Sequence, residues 1–186
     1  SWGNIFSNID IEISARSLSI GIIRFLVLLI AGRVLPFFTR KKIEGITIEV
    51  PSWLNFSALL SILLLVIPWP LETPKFILVI LYSFAIITNA LRQGVWMPHK
   101  TIKVPILFVL HIGVFFITLG LILELLSLFY PQLNFSKASL HQLMVGGLGV
   151  VGMGIMTRVS LGHTGRIIKA DKWIQLLYLC LVVGAI

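Results

Sequence analysis

Apolar residues in this chain gather into long runs, separated by short polar or proline-containing breaks. A run such as 59–67 is apolar on every side of a helix, unlike the period-two alternation of a membrane-barrel strand. A helix rises ~1.5 Å per residue and a bilayer core is ~30 Å thick. On that scale the runs predict five complete transmembrane helices, at about 17–38, 53–69, 75–92, 104–130 and 138–161, and a partial sixth over 172–186. The expected fold class is all-α, one polytopic transmembrane helical bundle over residues 1–186. Pro68, Pro70 and Pro74 predict a tight break between the second and third spans, and Pro131 the end of the fourth. No repeat at a fixed spacing and no low-complexity segment is visible.

Composition sharpens this picture. The 186 residues are 58% hydrophobic and only 12% charged, against ~45–50% and ~25% in soluble domains. Nucleic-acid-binding domains, disordered tails and soluble enzymes are excluded, because each needs polar surface that this chain lacks. The net charge of +8 then reads as topology. With alternating spans, one side collects Arg40, Lys41, Lys42, Lys100, Lys103, Arg166, Lys169 and Lys172, with Arg92 at its edge; the other holds Arg16, Lys75 and Lys137. The positive-inside bias places the first set in the cytoplasm, against anionic lipid, and the amino end outside.

Residues 1–15 are polar, with Asp10 and Glu12 and no basic region, so they are not a signal peptide. The apolar stretch 173–186 is too short to cross a bilayer. The expectation is a piece of a longer protein. Cys180 is the only cysteine, which excludes an intrachain disulfide and any cysteine-built zinc or iron–sulfur site.

Ionisable groups within a span are costly and usually face a bundle interior, a cavity or a bound group. Arg24, Arg33, His111 and Arg158 stand out. Arg24 and Arg33 are nine residues apart, hence on opposite helix faces with different partners. Gly32 and Pro36 bracket Arg33 and predict a kink that turns its guanidinium toward the bundle, the alternative being snorkelling to the interface. His111 shares a helical stripe with Phe115, Thr118 and Ile122, a wall suited to a flat ligand or a metal, or else a core histidine bonded to a neighbouring helix. Glu124 reads as an interfacial anchor or a proton carrier. In 141–166, Gly147, Val151, Gly154 and Arg158 form a small-residue stripe. It serves either close helix packing or a planar cofactor, with Arg158 pairing an anion such as a propionate. Gly162 fits a helix C-cap before His163.

His99, His111, His141 and His163 show no local metal-binding spacing, and no serine or cysteine sits in a nucleophile context. Any metal site must be assembled between helices. His111 and His163 are the better pair, at a similar cytoplasmic-side depth to Arg33 and Arg158, while His141 lies near the outer end of the fifth span. Imidazole nitrogen suits haem iron or copper better than a hard cation.

Three segments, AGRVLPFFT (31–39), LFVLHIGVFF (107–116) and HQLMVGGLGVVGMGIMTRVSLGHTGR (141–166), resemble the NnrS family, polytopic bacterial inner-membrane proteins that contain haem and copper and take part in the nitric-oxide response. The last segment matches without a gap, and its closing SLGHTGR is the most specific part. The resemblance runs from about Gly32 to Arg166, roughly the second half of a family member. It implies haem and copper as cofactors and nitric oxide as a gaseous ligand. It also implies that Arg33, His111, His141, Arg158, His163 and Arg166 are the family's polar positions here. His111, His163 and His141 are then the expected metal-side residues, and Arg158, Arg33 and Arg166 the cofactor-side arginines. Two departures stand out. The histidine-rich HxHEM-type segment of family members is absent from this sequence, and Val150 and Gly152 replace small polar residues within the glycine-rich helix. If that segment supplies the metal ligands, the present residues act as a second layer or as one partner ligand. Half of an anion transporter and a membrane anchor for a b-type haem are the other functions the residues admit. A haem beside copper supports reduction or oxidation of nitric oxide and equally its sensing or buffering, which leaves enzymatic activity open.

Overall fold

The computed structural model describes the backbone of residues 2–67 and 73–186, with side chains from residue 15 onward in those ranges except Arg16. Among the described residues every regular element is helical. Helix α1 runs Trp2–Lys42, α2 Ser52–Val66, α3 Lys75–Val95 and α4 Pro105–Ser127. Helix α5 spans Phe135–His163, and α6 Lys172–Gly184. A single 3₁₀ turn, Pro98–Thr101, joins α3 to α4.

Four helical segments are long and apolar enough to cross a membrane: Ser17–Lys42, Lys75–Val95, Pro105–Ser127 and Phe135–His163. The five complete spans expected from the runs are thus reduced by one. The expected second span, 53–69, is a helix of 15 residues, only ~22 Å long at ~1.5 Å per residue. It stops because Ile67 is extended (φ −64°, ψ 125°), the conformation favoured before a proline such as Pro68. Pro68 and Pro70 themselves lie outside the described residues. The partial sixth is α6, 13 residues opened by an Asp171 cap that accepts from the Ile174 amide at 2.8 Å.

Helix α4 is the axis of the fold. It packs against α1, α3, α5 and α6, while α2 lies against α1 and α3. From Ile106 to Leu121 twelve of its sixteen residues are buried, so its uniform apolarity serves protein contact more than lipid. Elsewhere large apolar side chains face outward, among them Ile30, Phe56, Ile80, Met156 and Leu179. That is the surface expected of helices in hydrocarbon.

Within α5 the segment Gln142–Gly149 is π-helical. The widened turn coincides with the glycine-rich stretch, where backbone restraint is weakest. At the far end of α5, Thr164 is the C-cap and Gly165 takes φ +66°. The Arg166 amide donates to the Leu161 carbonyl at 2.9 Å and the Gly165 amide to the Gly162 carbonyl at 3.3 Å. These are the two bonds of a Schellman motif. The capping glycine is therefore Gly165 and not Gly162, which stays helical.

Candidate functional site

His111 sits in the first third of α4, buried where α1, α3 and α4 meet. Its Nε2 lies 3.5 Å from the Thr39 hydroxyl on α1. Its backbone carbonyl accepts from the Gln93 side-chain amide of α3 at 2.7 Å, and its ring tilts against Trp96 with centroids 6.5 Å apart. Nδ1 is buried and has no hydrogen-bond partner. A groove of about 490 Å³ between α3 and α4 is lined by His111, Phe115, Thr118 and Ile122, together with Gln93 and Phe108. The stripe read from helical spacing is thus one wall of an apolar recess with an imidazole in it.

A second polar centre lies toward the other end of α4. Arg24 of α1 donates to both oxygens of Glu124, from Nη1 at 3.0 Å and from Nη2 at 2.7 Å. The Ser139 hydroxyl of α5 adds a third bond to that carboxylate at 3.0 Å. A cavity of about 310 Å³ with Tyr82, Ser127 and Ser136 in its walls adjoins the pair. Arg24 and Glu124 were each conspicuous in the sequence, but only the fold joins them, 100 residues apart. Glu124 is here a half-buried ion-pair partner that ties α1, α4 and α5 together.

The glycine stripe of α5 is filled by α4. A Cβ on Gly147 would stand 2.5 Å from Ile117 Cγ1, one on Gly154 2.6 Å from Leu110 Cδ2, and one on Gly146 2.5 Å from Phe116 Cβ. Of the two readings of the stripe, close helix packing is the one realised. Arg158, one turn beyond Gly154, stacks on the ring of Phe38 with Cζ 3.6 Å from the centroid, which holds α5 to α1 by a cation–π contact.

The remaining predicted positions scatter. Gly154 faces Leu110, so His163, nine residues further along α5, is displaced from the level of His111 by ~13 Å along the helix axis. His163 and Arg166 are exposed around the Schellman cap. His141 is exposed and its Nε2 lies 3.1 Å from the Gly184 carbonyl, bracing α5 against α6. Arg33 is exposed and lines a cavity beside Gly32 and Pro36 rather than turning into the bundle. His99 is exposed on the 3₁₀ turn.

The residue that sequence reasoning missed is Arg92, placed at an edge because it lies near the end of α3. It is 1% exposed. Helical side chains lean toward the N-terminus, which carries its guanidinium back toward the middle of α1. There Nη2 donates to the Leu28 carbonyl at 2.6 Å. The guanidinium carbon lies 4.9 Å from the Trp96 ring centroid, and Nε and Nη1 have no hydrogen-bond partner. The N-ward lean was the available signal.

As a cofactor setting, the chain offers here one imidazole with a buried, unpartnered nitrogen next to an apolar groove, and His111 would be the residue to hold a haem iron if one were bound. No group of three or more His, Cys, Asp and Glu comes together among the described residues, so they do not assemble a copper centre by themselves. The sequence model of the family described as NnrS protein matches residues 4–186. Comparison with curated proteins and with solved structures returns no match for the chain. With that match over essentially its whole length, the chain belongs to the NnrS protein family, membrane proteins related to the nitric-oxide response.

Proposed function

We propose that this chain is a haem- and copper-containing protein of the bacterial inner membrane that acts in the nitric-oxide response, and that the α3–α4 groove at His111 is its haem-side surface. The observation that carries this reading is the buried, unpartnered Nδ1 of His111 beside a groove lined by Phe115, Thr118 and Ile122. Thr39 at Nε2 orients the ring, and Gln93 at the backbone carbonyl ties this turn of α4 to α3. The apolar lining keeps water from the imidazole, and an uncharged ring is the form that ligates. A bound haem supplies an iron that takes nitric oxide as a ligand. For copper, His141 and His163 offer single exposed imidazoles at opposite ends of α5, so copper requires donors from beyond the described residues. The charge bias supports placing Arg40, Lys41 and Lys42 in the cytoplasm. The test is the optical spectrum and metal content of the purified protein. A Soret band with iron present supports the proposal; no band together with blank metal analysis ends it.

A further inference from the structure

Three guanidiniums are drawn into the bundle, and only one of them has a carboxylate partner within it. Arg24 has Glu124, and Arg158 lies across the face of Phe38. Neither Arg158 nor Arg92 has a carboxylate, since Arg24–Glu124 is the only ion pair among the described residues, but Arg158 is partly exposed whereas Arg92 is fully buried with one carbonyl and the face of Trp96. Its Nε and Nη1 remain buried without acceptors. A buried cation with open donors is stable only where something supplies negative charge or acceptor atoms.

The Arg92 charge lies close to other cationic groups of α1. A Cβ on Gly32 would stand 2.7 Å from Arg92 Nη2, so the absence of a side chain there is what lets the guanidinium press against α1. Gly32 is also part of the wall of a cavity of about 580 Å³ that holds Arg33, Phe37, Arg40, Glu49 and Asn55. Arg33 and Arg40 are seven residues apart on α1, ~10 Å along its axis, and one carboxylate, Glu49, opposes the two. Arg92 does not line this cavity, but its guanidinium, packed against Gly32, adds a third positive charge to the neighbourhood. We propose that this cavity is an oxyanion-binding site, for a phosphate or carboxylate group, gripped by Arg33 and Arg40 and drawn inward by Arg92 through Gly32. Guanidinium forks suit such groups because two parallel N–H donors match two oxygens. The oxyanion is either free in solution or the headgroup of an anionic lipid, whose tail would meet exposed Phe37 in the cavity wall.

The site does not rest on haem at His111 and is tested separately from it. The full chain, purified in a neutral detergent, is melted in sodium phosphate and in sodium chloride at matched ionic strength. Retention of phosphatidylglycerol against phosphatidylcholine is measured in parallel by native mass spectrometry. Saturable stabilisation by phosphate identifies a free oxyanion, and selective retention of phosphatidylglycerol alone identifies a lipid headgroup; either supports the proposal. Arg33→Gln with Arg40→Gln, both exposed positions, should weaken the apparent affinity at least tenfold, and Gly32→Ala should weaken it by displacing Arg92. Lys41→Gln with Lys42→Gln should leave it unchanged, as should His111→Ala. Binding of neither probe, binding undiminished in the arginine pair, or equal loss in the lysine pair overturns the proposal.

Discussion

Replacing Glu124 with leucine leaves Arg24 as an uncompensated charge between α1 and α4. The pair is bidentate, with Arg24 4% and Glu124 18% exposed at the side chain. Removing one partner of a buried ion pair costs about 3–5 kcal/mol, and an arginine at the centre of a membrane helix costs roughly 2.5–3.5 kcal/mol on insertion scales. The adjoining cavity of about 310 Å³ admits water to the orphaned guanidinium, which favours the lower part of that range. The expected loss for Glu124→Leu is about 3 kcal/mol, more than a hundredfold in the unfolding constant. Replacing both partners with leucine removes the desolvated charge along with its partner, and such exchanges are often near neutral. Arg24→Leu/Glu124→Leu should therefore recover most of the loss, with a coupling of at least about 2 kcal/mol between the sites. Equilibrium unfolding in mixed micelles, followed by helical circular dichroism, measures all four corners of the cycle. A single-variant cost below about 1 kcal/mol, or a double variant equal to the sum of the singles, would refute the reasoning.

Other substitutions test the packing. Gly146→Ala forces a Cβ to 2.5 Å from Phe116 Cβ and should cost about 1–3 kcal/mol, whereas Gly152→Ala meets nothing within 4 Å and should be neutral or stabilising by up to about 1 kcal/mol; the same unfolding assay compares them. Gly165→Ala, at φ +66° in the Schellman cap, should lower stability by about 1 kcal/mol without altering helix content. Arg158→Gln and Phe38→Leu should each remove the same cation–π contact, roughly 0.5–2 kcal/mol, and the two together should cost less than their sum.

The legible parts of this protein are those governed by local chemistry. Long apolar runs gave the helices, and helical spacing put His111, Phe115, Thr118 and Ile122 on one wall, where the structure places a groove. What escaped depends on what lies across from each residue. Hydropathy cannot separate a helix enclosed by protein from one bathed in lipid, so α4 looked like every other span although it is the most enclosed. The same hydropathy ran through Ile67, which the following proline holds in an extended conformation and out of α2. Glycines of α5 were compatible with a cofactor or with a close helix, and only the positions of Ile117, Phe116 and Leu110 decide for the helix. Arg92 was hidden by the length of its own side chain, since its backbone position gives the interface and its guanidinium reaches the middle of α1. His111 and His163 seemed level because both lie on the same side of the membrane, yet the register of α5 against α4 sets them on different turns.

The central claim is that His111, among the histidines of this chain, faces the haem. Absorption spectra of the purified protein, His111→Ala and His99→Ala, recorded at equal protein concentration, test it most directly. The account predicts that the Soret band is shifted or lost in His111→Ala and unchanged in His99→Ala, whose imidazole is exposed on the 3₁₀ turn. Equal effects of the two substitutions, or an unaltered band in His111→Ala with the fold intact, would contradict it.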